Sequence, residues 1–129
     1  MDLSNILAIN GKPGLFKLIS KTKTTFIVES LIDKKRVPAF SHDGISSLDN
    51  IAIFTEKEDV ELANVLIAIF KKEAGQKLPD ILNDNAKMKA YFEGVLPEYD
   101  KERVYVSNIK KVLSWYNLLV ENQIITEDE

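Results

Sequence analysis

Short apolar runs separated by polar turns fill the first part of the chain, and longer apolar stripes at helical spacing fill the rest. Leu15-Phe16-Lys17-Leu18-Ile19 reads as a strand. It follows Gly11-Lys12-Pro13-Gly14, where proline before glycine suits a type II turn, because only the third turn position needs positive φ. Thr24 to Leu31 is rich in β-branched residues and reads as a second strand. Asp33-Lys34-Lys35 is placed as a hairpin turn, with Arg36-Val37-Pro38-Ala39-Phe40 as the returning strand. Pro38 cannot donate to a ladder, which puts that strand at an edge or on a bulge. Ile51-Ala52-Ile53-Phe54 closes the set. Four short strands with no helix between them predict an antiparallel meander, curled into an SH3-like or barrel-like sheet. Ahead of it, Ser4 is placed to cap a short helix through Ile9.

At Thr55 the period changes. Thr55-Glu56-Lys57-Glu58 fits a capping box and predicts a helix from Glu56 to Glu73, with Leu62, Leu66, Ile69 and Phe70 on one face. The acidic residues Glu56, Glu58, Asp59 and Glu61 then oppose the helix dipole. Gly75 ends the helix, and Gln76 to Asn83 forms a linker. Asn83 or Asp84 caps a second helix carrying Met88, Tyr91, Phe92 and Val95, which Pro97 stops. After a charged and aromatic connection, Ser107 caps a third helix, with Ile109, Val112, Leu113, Tyr116, Leu119 and Val120 as its stripe. The expected class is α+β: a four-stranded unit over residues 1–55, then a three-helix region over residues 56–129, the two folding as one cooperative unit. A fragment ending near Thr55 is expected to be unfolded or aggregated, because so short a sheet buries too little surface alone.

Composition narrows the chemistry. The chain has 129 residues, 45% hydrophobic and 29% charged, which suits a folded domain. There is no cysteine, so disulfides, thiolate nucleophiles and thiolate metal sites are excluded. The net charge of −3 is uneven: residues 1–55 carry seven basic and five acidic side chains, net +2, which leaves −5 for the rest. A dipole of that size orients partners without announcing nucleic-acid binding. The N-terminus lacks a basic start and a long apolar run, and Val65 to Phe70 is far short of the roughly 20 residues a membrane helix needs. No membrane association and a cytoplasmic location are the expectation.

The runs Gly11-Lys12-Pro13-Gly14-Leu15-Phe16-Lys17-Leu18-Ile19, Val28-Glu29-Ser30-Leu31 and Pro38-Ala39-Phe40 occur together with Tyr91-Phe92-Glu93 and Val95-Leu96-Pro97-Glu98-Tyr99-Asp100. Further on stand Glu102-Arg103-Val104-Tyr105-Val106-Ser107, Ile109-Lys110-Lys111-Val112 and Ser114-Trp115-Tyr116. Together they resemble a family of small uncharacterised bacterial proteins, a domain-of-unknown-function family, over nearly the whole chain. The resemblance implies a bacterial cytoplasmic protein with this two-part layout. It carries over no activity, cofactor or catalytic residue.

The residues themselves argue against most chemistries. His42 is the only histidine. Ser41-His42-Asp43 holds the residue types of a hydrolase triad, but neighbouring side chains in an extended segment diverge, and a triad needs convergence. One histidine and no cysteine make a zinc site poor. Asp80-Ile81-Leu82-Asn83-Asp84-Asn85 lacks the glycine and the glutamate of a calcium loop. No glycine-rich phosphate loop occurs. The expectation is therefore not an enzyme, with no cofactor and no metal.

Two surfaces remain. Tyr99, Asp100, Arg103 and Tyr105 lie off any helical stripe, between two well-marked helices, and tyrosine with arginine is what protein interfaces favour. They are the candidate partner-binding residues of a protein-binding or adaptor module, with Arg103 expected to face the partner and Tyr105 to be structural. Lys34, Lys35 and Arg36, on the basic β half, are the candidates for weak nucleic-acid contact. The strand aromatics Phe16, Phe26, Phe40 and Phe54 are expected mostly in the core.

Overall fold

The computed structural model describes residues 3–40 and 43–125. It divides into two units, Asp2–Ile51 and Ala52–Glu129. An antiparallel sheet precedes three helices in the chain, so the class is α+β.

The first unit holds a five-stranded antiparallel sheet: β1 (Ile6–Ile9), β2 (Phe16–Lys21), β3 (Thr25–Ser30), β4 (Arg36–Phe40) and β5 (Ile45–Ser47), in the order β4-β3-β2-β1-β5. The meander of β2, β3 and β4 is as expected. Residues 6–9 differ: they form a strand between β2 and β5 rather than a helix capped by Ser4. Leu7 and Ile9 point into the core with Phe16, Val28 and Ala39, while Ile6 on the opposite face is also buried. A strand buried on both faces has no polar alternation to announce it.

Turn chemistry fixes the register. Between β1 and β2 the Lys12 amide donates to the Ile9 carbonyl (3.1 Å), and Gly11 (φ 78°) and Gly14 (φ 77°) both take the left-handed region that glycine allows. The loop between β3 and β4 is held by Ser30 N–H donating to the Lys35 carbonyl (2.9 Å), by Lys34 in the left-handed region (φ 65°), and by Lys35 N–H on the Asp33 carboxylate (3.0 Å). In β2 the register slips between Leu18 and Ser20. Ile19 is therefore the bulge residue, which leaves an apolar side chain partly exposed.

β4 is an edge strand, as Pro38 requires. Hydrogen-bonded and non-bonded pairs alternate along an antiparallel ladder. Counted from the Ser30–Lys35 bond, Arg36, Pro38 and Phe40 turn their backbone groups away from β3. Pro38 has no amide to offer there, and the Phe40 amide already donates to the Asp43 carboxylate (2.8 Å).

The second unit begins with a two-stranded ribbon, β6 (Ala52–Ile53) and β7 (Val60–Glu61). The segment read as the closing strand of the main sheet therefore pairs elsewhere. The expected capping box at Thr55 is a turn instead: the buried Thr55 Oγ1 accepts from the Lys57 amide (3.0 Å) and donates to the Glu58 carbonyl (2.6 Å). The first helix starts later, as α1 (Leu62–Lys72), and Glu56, Glu58 and Asp59 lie ahead of it. Pairing of residues 60–61 with 52–53 outcompetes helical continuation there.

Leu62, Val65, Leu66 and Ile69 of α1 are buried, and Gly75 (φ 79°) closes its C-terminus by donating to the Phe70 carbonyl (2.9 Å). Helix α2 (Asn85–Val95) is capped by Asp84, whose carboxylate accepts from the Lys87 amide, and buries Met88 and Phe92. Helix α3 (Val106–Glu121) is capped at Tyr105, two residues before the expected Ser107 cap; the Tyr105 amide donates to the Asn108 side chain (2.9 Å). Its buried residues Ile109, Val112, Leu113, Tyr116 and Leu119 are those of the expected stripe. The three helices contact one another, and the linker after α1 is strapped to α3 by the Tyr116 hydroxyl on the Gln76 carbonyl (2.7 Å) and by the Leu78 amide on Asn117.

Candidate functional site

The connection from α2 to α3 is stitched to the ribbon of its own unit. The Asp100 amide donates to the Phe54 carbonyl and the Glu56 amide to the Glu98 carbonyl, both at 2.9 Å, while Thr55 and Tyr99 form an antiparallel bridge. Beyond it, the Arg103 and Val104 amides donate back to the Asp100 carbonyl, folding the loop into a turn.

This framework separates the four candidate residues. Tyr99 is 3% exposed and meets the buried Phe92 ring edge-on, centroids 5.1 Å apart at 74°. It is a core residue of the helical unit. Asp100 accepts from Arg103 Nε (2.7 Å) and from the Glu102 amide (2.9 Å). The Arg103 bond, then the Glu102 amide, hold its carboxyl below the ordinary carboxylate value. The Arg103 guanidinium also donates to the Thr55 carbonyl (3.3 Å) and lies 4.4 Å over the Phe54 ring. Its contacts are thus within its own unit, although half of the side chain stays exposed. Tyr105, the N-cap of α3, is 63% exposed.

The structure brings together Arg103, Asp100 and Phe54, and it leaves Tyr105 projecting two residues further on. Phe54 is the member that sequence reasoning assigned to the core; its ring is 42% exposed beneath the guanidinium. Its place ahead of a polar turn was the available signal, since a short ribbon covers only one of its faces.

The second candidate group lies on the β3–β4 hairpin. Arg36 stands opposite Glu29 across the ladder and pairs with it at 3.3 Å. Lys34 occupies the left-handed turn position. Lys35 lines a groove of about 300 Å³ with Lys12, Pro13, Phe16, Ser30, Ile32, Asp33 and Val37. Ile32 at the hairpin tip is 56% exposed, another apolar group that the sequence pattern did not place at the surface.

Further titratable groups are tied into the helical unit. Tyr91 donates to Glu73 beneath the Lys72 ammonium, and burial followed by that bond raises its pKa. Burial, with the Glu73 charge adding to it, pushes Tyr116 up to about 12. Ser41 and His42 lie outside the described residues. Among the described residues no three His, Cys, Asp or Glu side chains cluster closely enough to hold a metal ion, and no helix is long and apolar enough to cross a membrane.

A five-stranded antiparallel sheet followed by a ribbon and three helices defines a small α+β protein. The chain belongs to the family described as Domain of unknown function (DUF6852), which matches residues 51–119. Residues 3–48 match a second description, Domain of unknown function (DUF5606). The chain is similar to a solution NMR structure of a Bacteroides vulgatus protein, a target of the Northeast Structural Genomics Consortium. The two are 48% identical with a TM-score of 0.73, over 97% of this chain and 90% of that one. No curated protein matches the chain.

Proposed function

We propose that this chain is a non-enzymatic protein-binding or adaptor module of the bacterial cytoplasm, and that Phe54, Arg103 and Tyr105 form its partner surface. The observation that carries the reading is the half-exposed stack of the Arg103 guanidinium on Phe54, with Tyr105 projecting nearby. Arginine and aromatic rings held rigid before binding lose little entropy on association and dominate interface energetics. Asp100 fixes the guanidinium, so the stack is presented in one geometry. The Asp100 carboxylate is engaged by Arg103, which favours binding over acid–base chemistry at this surface.

Affinity capture from the native cytoplasm, read by mass spectrometry, tests this with wild type and Tyr105→Asp. The expected result is a specific protein lost with Tyr105→Asp while the melting temperature moves by no more than about 2 °C. Retention of every captured protein by the variant refutes the surface. Nucleic-acid contact through Lys34, Lys35 and Arg36 is the weaker alternative, because Arg36 is already paired with Glu29. It requires salt-sensitive heparin or oligonucleotide binding that is abolished when the three are replaced by glutamate.

A further inference from the structure

The groove at the tips of the β1–β2 and β3–β4 turns has a chemistry of its own. Its apolar lining is Pro13, Phe16, Ile32 and Val37, and Lys12 and Lys35 stand exposed beside it. Phe16 belongs to the core cluster of the sheet and the partly buried Val37 packs against it, so the groove opens directly onto packed apolar side chains. Its walls are fixed before any ligand arrives: the Leu31 amide donates to the Leu15 carbonyl (2.9 Å) and the Ile32 amide to Ser30 Oγ (3.1 Å). Among the described residues neither Lys12 nor Lys35 has a carboxylate partner. Asp33, the one acid in the lining, turns its carboxylate to the Lys35 backbone amide. Two ammonium groups therefore face one engaged carboxylate around an apolar floor.

We infer that this groove receives an acidic peptide segment of a partner protein, an apolar side chain entering between Phe16, Ile32 and Val37 while flanking carboxylates meet Lys12 and Lys35. Charge complementarity selects that occupant. The lining is net positive, so an apolar segment flanked by lysines would meet repulsion, and one flanked by glutamates attraction. The exposed Ile32 side chain gains burial from the same contact. The site lies on the β unit and is independent of the Tyr105 surface proposed above.

The test is an amide chemical-shift titration of the full chain with three probes: an acetylated peptide of about ten residues alternating leucine and glutamate, the same peptide with lysine for glutamate, and an oligonucleotide of similar length. The expected result is saturable shifts from the leucine–glutamate peptide at Gly14, Phe16, Ile32, Lys35 and Val37, absent with the lysine peptide. Affinity should fall about tenfold in the Lys12→Glu/Lys35→Glu double variant and several-fold between about 50 and 300 mM salt. Ile32→Ser should weaken it as well. All three substitutions are at exposed positions, and the dispersion of the same spectra reports that the variants are folded. Equal response to both peptides would show unspecific apolar contact and overturn the inference. Shifts elsewhere, no shifts, or groove shifts from the oligonucleotide alone would also overturn it.

Discussion

Tyr99 and Tyr105 carry the same side chain six residues apart, and the structure predicts opposite consequences for removing it. The Tyr99 ring is almost wholly buried and packs edge-on against Phe92. Truncating a buried aromatic ring to alanine costs about 3–5 kcal/mol, including the roughly 0.5–1.5 kcal/mol of the aromatic pair itself. Part of the Tyr99 backbone also bridges to Thr55, which the substitution leaves in place. Tyr99→Ala is therefore expected near the lower end, about 3 kcal/mol, a large share of the roughly 5–15 kcal/mol that holds a domain of this kind folded. Tyr105 is mostly in water, and Tyr105→Ala should stay within about 0.5 kcal/mol of wild type. Urea unfolding followed by helical circular dichroism measures both, with comparable slopes as the check that a single transition is compared. A loss of less than about 1 kcal/mol for Tyr99→Ala, or similar losses for the two tyrosines, would refute the assignment of Tyr99 to the core.

Arg103→Ala removes an ion pair with Asp100, a bond to the Thr55 carbonyl and the stack on Phe54. Discounted for half exposure, these sum to about 1–2 kcal/mol and a melting temperature several degrees lower, with Arg103→Lys intermediate; an unchanged melting curve contradicts the clamp. The depressed Asp100 carboxyl stays ionised in the folded chain at pH values where the unfolded chain takes up a proton. Its contribution is present above the ordinary carboxylate value and lost as pH falls through the folded one, so Asp100→Asn should lose less stability than wild type below about pH 4 in acid denaturation curves. In alkali the sign reverses, because Tyr91 and Tyr116 hold their protons above the ordinary tyrosine value. Tyrosinate absorbance at about pH 11 should leave both un-ionised while the chain is folded, and Tyr91→Phe and Tyr116→Phe should each remove one late-titrating group. Stability should fall as the pH rises beyond about 10; full ionisation near pH 10 in the folded protein would count against both.

The helices were legible because their burial repeats every three to four residues in the sequence. Five of the six stripe residues of α3 are buried and the sixth, Val120, is half-buried, and Asp84 and Pro97 mark the ends of α2 in one dimension. Pro38 likewise announced an edge strand. What local pattern could not supply was competition at a distance. The Thr55-x-x-Glu58 spacing serves a tight turn as well as a capping box, and the outcome is decided by residues 60–61 finding 52–53. Residues 6–9 form a strand because β2 and β5 accept them on either side. The candidate loop shows the same limit. Two tyrosines and an arginine exceeded what a connection needs, but the Thr55–Tyr99 bridge decides which of them turns inward.

The edge formed by β4 constrains how this molecule behaves in a crowd of its own copies. Sheets polymerise when an outer strand offers a regular row of donors and acceptors to a newcomer. Here the central outward position is a proline and the next amide is already claimed by Asp43, while the opposite edge, β5, is only three residues long. A second chain approaching in register finds a gap where its ladder should propagate, so this edge is a poor template for strand addition. A partner, in turn, has to be told apart by side-chain shape and charge, because the main chain gives it little to align with.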